Sequence, residues 1–396
     1  MNRAVKATVY YLSGFLQGVC LVLIPGASFI LKSAAANGIT DPQYGLLFLP
    51  MISVAALVTW FFKPLLKKLR EESVFFIGVL ANLFYLGLLW HASFAVGKPA
   101  QSFFEICLSN IFLGAGFGLF LSVLNLLTVE LFPKTRNSAL TGLHACLGLG
   151  SSASPLLVNI FYQRGSWPTA VVLTAVSFII LGIISWVFRA ARHKGHEAER
   201  ILAAEIPVGP APLGMKGFLA AIFLYAIAES MIGNWSAVYL QTEKGFSLKT
   251  ASLTLSVFWL FVTVGRVLAS FLVTKIDARY LYRFSPAFIG VSLLAIILNR
   301  TESLVLFLYA FAGLACSYFF PLSISLSTHY FDRWRGQISG LAIAALMLGV
   351  GVGSSLVGIL KEYHGLNLGQ AFSAALACVA AVFLMTFSLT RKALQN

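Results

Sequence analysis

FLAAIFLYAIAESMIGNWSAVYL, residues Phe218 to Leu240, is the stretch from which the chain is best read. It is long enough to cross a bilayer, since about 20 apolar residues at ~1.5 Å rise span ~30 Å of hydrocarbon. It nevertheless carries Glu229 near its middle, followed by Asn234, Trp235 and Tyr239. A carboxyl group at bilayer depth costs roughly 2.5–3.5 kcal/mol on insertion scales, so it faces a cavity or a partner rather than lipid.

The surrounding composition points the same way. Of 396 residues, 59% are hydrophobic and 11% charged, with a mean hydropathy of +0.86. A soluble domain carries about 25% charged residues, so this is a membrane protein by composition. The net charge of +14 would suit nucleic acid. The basic residues, however, fall in short clusters between apolar runs, the pattern that orients membrane helices, and no nucleic-acid partner is expected. The cysteines, Cys20, Cys107, Cys146, Cys316 and Cys378, stand singly inside apolar runs, which supports neither a disulfide framework nor a zinc site. His193 and His196 lie in a basic loop with no further ligands, so neither a metal nor any cofactor is expected. The first apolar run, 9–31, exceeds the about 7–15 residues of a secretory core and is read as a retained first helix.

Twelve spanning segments can be drawn: 9–31, 44–66, 73–92, 102–129, 138–162, 168–190, 215–240, 249–273, 282–299, 303–328, 336–360 and 368–390. The connection 191–214 is long, charged and closed by Pro207, Pro210 and Pro212, and is read as a linker. An even number of spans puts both termini on one side. The loops of that side hold most of the lysine and arginine, whereas the opposite loops hold only Lys32, Lys98, Arg164, Lys244, Lys249, Arg300 and Lys361. Both termini are therefore expected to be cytoplasmic.

The halves repeat. Gly38-Ile-Thr-Asp-Pro-Gln-Tyr-Gly45 matches the spacing of Gly245-Phe-Ser-Leu-Lys-Thr-Ala-Ser252. Gly148-Leu-Gly150-Ser-Ser returns as Gly351-Val-Gly353-Ser-Ser, and Asn110-x-x-x-Gly114 as Tyr309-x-x-x-Gly313, with Arg136 and Arg335 in the loops that follow. The expected architecture is all-α and polytopic, with a six-helix bundle over 1–190, a cytoplasmic linker over 191–214 and a second six-helix bundle over 215–396. Such repeats place a solute site between the bundles, near the midplane.

Twelve helices in two repeated halves with a long central connection resemble the major facilitator superfamily over essentially the whole chain. Asn110-Ile-Phe-Leu-Gly114-Ala-Gly116-Phe-Gly118 is similar to that family's fourth-helix motif, with asparagine where proton-driven drug exporters carry arginine. Gly265-Arg266 followed by Lys275-Ile-Asp277-Ala-Arg279 resembles its loop motif. The first-half counterpart, Lys63–Arg70, lacks the glycine and aspartate, and the fifth helix lacks the Gly-Pro antiporter signature. The pattern is nearest to the fucose-permease-like branch.

That resemblance implies a cavity lined by segments 1, 4, 7 and 10. Substrate contacts would then come from Gln17, which aligns with Glu229, and from Asn110, Asn125, Glu229, Asn234, Trp235 and Tyr318, with Phe320 as a further flat surface. Amides, a carboxyl group and aromatic rings suit a hydroxylated solute. The alternative for each amide is an interhelical hydrogen bond worth ~0.6 kcal/mol. For Glu229 the functional reading is proton coupling through burial, and the alternative is a neutral packing residue. Glu105, near the outer end of segment 4, is the second proton-coupling candidate, with simple solvation as its alternative. Glu130 is expected to pair with Lys134 or Arg136. Arg266 is expected to tie to a carboxylate or helix end at the cytoplasmic gate, and Arg136 and Arg335 share that structural role. Gly142, Gly148 and Gly150, with Gly340, Gly349, Gly351 and Gly353, would allow close helix approach, either for rocking or for static packing. Pro25, Pro50, Pro155 and Pro321 are expected to kink their helices.

No Walker motif, GxSxG or HExxH occurs, and no acid–base pair suggests an enzyme. The expected function is secondary active transport by alternating access: symport of a small polar organic solute, such as a sugar, with protons, by a monomer in the lipid bilayer of the cell (inner) membrane. The alternatives are efflux of an amphiphilic metabolite or drug, and, from another class, a membrane sensor or enzyme.

Overall fold

The computed structural model describes residues 3–187 and 211–392, apart from the side chains of residues 137, 335, 336 and 392. Most of the expected linker and the side chain of Arg335 thus lie outside the described residues. Among the described residues there is no strand, and twelve helices are long and apolar enough to span a membrane. We number them α1 (Arg3–Lys32), α2 (Asp41–Lys68), α3 (Glu71–Ala92), α4 (Pro99–Leu131), α5 (Ser138–Gln163), α6 (Pro168–Val187), α7 (Leu213–Thr242), α8 (Leu248–Leu272), α9 (Ala278–Leu298), α10 (Glu302–Tyr330), α11 (Gln337–His364) and α12 (Leu368–Arg391). They correspond one to one with the twelve expected segments.

The chain divides into two compact units, Met1–Ala204 and Glu205–Asn396. In the first, α1 packs chiefly on α5, and α4 on α2 and α3; in the second, α7 packs on α11 and α10 on α8. Helices α1, α4 and α7 are the best buried of the twelve and α6 and α12 the least. Trp60, Phe104, Phe307 and Leu384 remain exposed on the spans, as helices surrounded by lipid allow.

The sequence repeats correspond to repeated packing. Gly38 and Gly245 both adopt φ +67°, the left-handed turn that favours glycine. Two residues later Thr40 and Ser247 cap the next helix, accepting from the N–H of Gln43 and Thr250. Gly114 lets α4 approach the backbone of α2 at Met51, and Gly313 lets α10 approach α8 at Phe258 and Val262. Gly150 lies against Phe15 and Val19 of α1, and Gly353 against Ile227 and Ser230 of α7. The glycine faces therefore serve packing within each unit.

Three of the four prolines stand beside a break in their helix. A proline lacks the N–H of its own turn and its ring crowds the carbonyl four residues earlier. Pro50 accordingly follows a break in α2 at Leu47, and Pro321 follows a break in α10 at Ser317 and Tyr318. Pro25 stands two residues before a break in α1 at Ala27, whereas Pro155 lies inside a continuous helix and packs against Gly26. Helix α7 is interrupted differently, by a single π turn over Met231–Trp235.

Candidate functional site

Glu229 lies on α7 just before the π turn, and its side chain is half-buried. Tyr225 precedes it by four residues, a spacing that puts both side chains on one helix face. The tyrosine hydroxyl lies 2.8 Å from Glu229 Oε1 and 2.9 Å from the main-chain oxygen of Cys316. The tyrosine is buried and its ring packs on Phe319, with centroids 4.8 Å apart. Cys316 is the last residue of the first half of α10. Terminal carbonyls of a helix have no intrahelical partner, and Tyr225 supplies one here.

Helix α8 reaches the same place. A Cβ on Gly265 would lie 2.7 Å from Ser317 Cβ and 3.3 Å from Leu314 Cα, so only glycine lets α8 sit on the break. The next residue, Arg266, is half-buried and interacts electrostatically with Glu229 and Tyr225. Its Nε is buried without a hydrogen-bond partner. Among the described residues no ion pair within 4 Å ties it to a carboxylate, and it acts on Glu229 and Tyr225 through its field. One acid, one phenol and one guanidinium thus gather from α7 and α8 around the gap in α10, all within the second unit.

The other expected contacts separate into two groups. Gln17 is fully buried, its Oε1 accepting from Asn82 Nδ2 of α3 at 2.9 Å. Asn110 is 1% exposed and donates through Nδ2 to the carbonyl of Leu47, 2.6 Å away in the break of α2. Trp235 is fully buried and donates through Nε1 to the carbonyl of Ser354 at 3.2 Å. These three are buried in protein packing rather than exposed to a solute as expected, and Gln17 Nε2 and Asn110 Oδ1 have no hydrogen-bond partner there. Asn125, Asn234 and Tyr318 are half-buried. The Asn125 Oδ1 has no hydrogen-bond partner, Asn234 donates to Ser354 Oγ at 2.8 Å, and Tyr318 is the N-cap of the second half of α10.

Glu105 accepts from Gln101 Nε2 at 2.8 Å and lies 3.0 Å from His91 Nδ1, a local cluster where α3 ends and α4 begins. Glu130 is half-buried and has interactions of its own, and Lys134 and Arg136 are exposed. Among the described residues no three His, Cys, Asp or Glu side chains gather as a metal site.

The sequence reading missed Tyr225 and Asn82. The first was visible as Tyr-x-x-x-Glu within one span; the second had no distinguishing signal, because any buried amide can find an amide partner.

The profile of the Major Facilitator Superfamily matches residues 7–298 and 218–395. The chain is 23% identical over 274 residues to the glucose/mannose transporter GlcP of Bacillus subtilis, covering 65% of this chain and 66% of that protein, just under two thirds of its length. It is 21% identical over 306 residues to the cis,cis-muconate transport protein of Acinetobacter baylyi, covering 72% and 73%. Among solved structures it is similar to a bacterial homologue of the human lysosomal transporter Spinster, in an inward-facing, unoccupied conformation. That likeness has a TM-score of 0.78 at 15% identity over 99% of this chain and 98% of that one, and it bears on the fold alone. Twelve spans in two repeated units and a profile match along nearly the whole length lead to one conclusion: the chain belongs to the Major Facilitator Superfamily, a family of membrane transporters rather than enzymes.

Proposed function

We propose that this protein is a proton-coupled secondary transporter of a small polar organic solute, with sugars as the first class to test. The observation that carries this reading is Glu229. It is a half-buried carboxyl group on a membrane span, hydrogen-bonded to a buried tyrosine and within the field of Arg266. An acid so placed can take a proton from one side and release it to the other as the protein alternates in access. Asn125, Asn234 and Tyr318 are half-buried on α4, α7 and α10, and their amide and hydroxyl groups are of the kind that hydrogen-bonds hydroxyl groups. The similarity to a glucose/mannose transporter supports the same solute class. The excess of lysine and arginine on the terminal side supports insertion in the cell membrane with both termini cytoplasmic.

Purified protein is screened by thermal shift against sugars, organic acids, nucleosides and amphiphiles. A true ligand at 100 times its Kd stabilises by about 2.7 kcal/mol. The stabilising solute is then offered to proteoliposomes with an imposed proton gradient. Accumulation that collapses with the gradient supports the proposal; uptake indifferent to the gradient contradicts it.

One observation favours a second reading, an organic acid as solute. The buried Nε of Arg266 lacks a partner, and guanidinium groups suit carboxylates. The similarity to a muconate transport protein points the same way. Stabilisation by dicarboxylates, lost in Arg266→Lys, would select it over the sugar.

A further inference from the structure

The Tyr225 hydroxyl has one proton and faces two oxygens, Glu229 Oε1 at 2.8 Å and Cys316 O at 2.9 Å. A main-chain carbonyl only accepts hydrogen bonds, and so does an ionised carboxylate. When Glu229 is ionised, one of the two must therefore go without a donor. When Glu229 is neutral, its O–H donates to the tyrosine oxygen and the tyrosine donates to Cys316 O, so every group is satisfied.

We infer that Tyr225 is the positioning residue of the coupling step, transmitting the protonation state of Glu229 to the break in α10. The inference rests on the coupling role proposed above for Glu229. On deprotonation the carboxyl O–H bond breaks, the proton leaves to water, and Tyr225 keeps its own proton but turns it from Cys316 O to the carboxylate. The carboxylate gains the field of Arg266 from α8, and the carbonyl at the end of the first half of α10 loses its donor. The first half of α10 then loses its hydrogen bond to α7, beside the short Ser317–Tyr318 connection to the second half. A short segment between two rigid helices is where a hinge absorbs such a change.

The groups around Glu229 permit this reading. Its own helix brings Tyr225, α8 brings Arg266, and α10 brings the Cys316 thiol, which lies against the same two side chains. Helices α11 and α12 meet α7 through Gly349, Gly353, Ser354, Phe372 and Leu389, none of which titrates.

The test is hydrogen exchange of the backbone amides over 317–322 in the full-length protein in nanodiscs. Exchange is expressed as protection factors, which remove the chemical pH dependence of exchange itself. The Glu229 titration is located separately by the infrared band of its protonated carboxyl group. In the wild type, protection at 317–322 falls about tenfold as Glu229 ionises, the scale of one lost buried hydrogen bond. In Glu229→Gln, whose amide donates to Tyr225 as the neutral acid does, protection stays high at every pH. In Tyr225→Phe it is low at every pH although the infrared band still titrates. A pH-dependent change that survives in either variant overturns the inference, so a Tyr225→Phe protein that failed to fold would still leave Glu229→Gln decisive. Proton-driven accumulation intact in Glu229→Gln would instead defeat the coupling role itself. Accumulation lost in Glu229→Gln, with wild-type exchange behaviour in Tyr225→Phe, would defeat only the link to α10.

Discussion

The side-chain amide of Asn110 on α4 and the main-chain carbonyl of Leu47 lie 2.6 Å apart, a bond that closes the gap in α2. Tyr225 performs the same service for Cys316 in the gap of α10. Both breaks follow from a proline three or four residues downstream, and in both a polar side chain from another helix meets the carbonyl that the break leaves over.

Asn110 is accordingly a stabilising residue. Asn110→Leu leaves the Leu47 carbonyl bare in a buried setting and costs about 1–3 kcal/mol of stability. The transport KM of the surviving protein should stay at the wild-type value. A raised KM with unchanged thermal stability would return Asn110 to the solute site.

The approach of α1 to α5 depends on glycine. A Cβ on Gly18 would lie 2.8 Å from the Leu147 carbonyl carbon and 2.9 Å from Ser151 N, both main-chain atoms that cannot swing aside. Gly18→Ala is expected to destabilise by about 1–3 kcal/mol, the usual range for overpacking. Gly340 on α11 has open space around its would-be Cβ, so Gly340→Ala should be neutral or stabilising by up to about 1 kcal/mol. Thermal melts of the two variants in one detergent check the contrast.

Asp277, between α8 and α9, gives a pH-dependent contribution of known sign. The Arg279 side chain and its backbone N–H, both hydrogen-bonded to Asp277, hold the carboxyl below the usual aspartate range. A group whose folded pKa is depressed contributes stability above its unfolded value, about 3.9, and loses it as pH falls through the folded value. Asp277→Asn keeps a helix-capping side chain and removes the charge. It should lower the melting temperature slightly at neutral pH, because the pair is solvent-screened. That difference should close in acid. A gap that persists below the folded pKa would show that the charge is not its source.

Much of the architecture was legible in the sequence, because a span's length and apolar character are set directly by the thickness of the bilayer. The repeat was legible too: Gly38 and Gly245, or Asn110-x-x-x-Gly114 and Tyr309-x-x-x-Gly313, mark positions where the backbone itself demands a small or turning residue. The site was harder. Gln17, Asn110 and Trp235 have the same chemistry whether they meet a solute or a protein group, and only packing reveals that each bonds to Asn82, Leu47 or Ser354. Arg266 is the converse case: its sequence context suggests a partner, yet the guanidinium Nε has none. Cys316 could not have been found at all, since its contribution is a main-chain oxygen exposed by a break.

The most direct test of the account is proton-driven accumulation by Glu229→Gln in proteoliposomes, measured beside substrate counterflow with no gradient. The side chain keeps its size and its hydrogen bond to Tyr225 but cannot exchange a proton. The account predicts that counterflow persists, because alternating access and solute binding remain, while accumulation against a concentration gradient is abolished. Accumulation at the wild-type level by Glu229→Gln would contradict it.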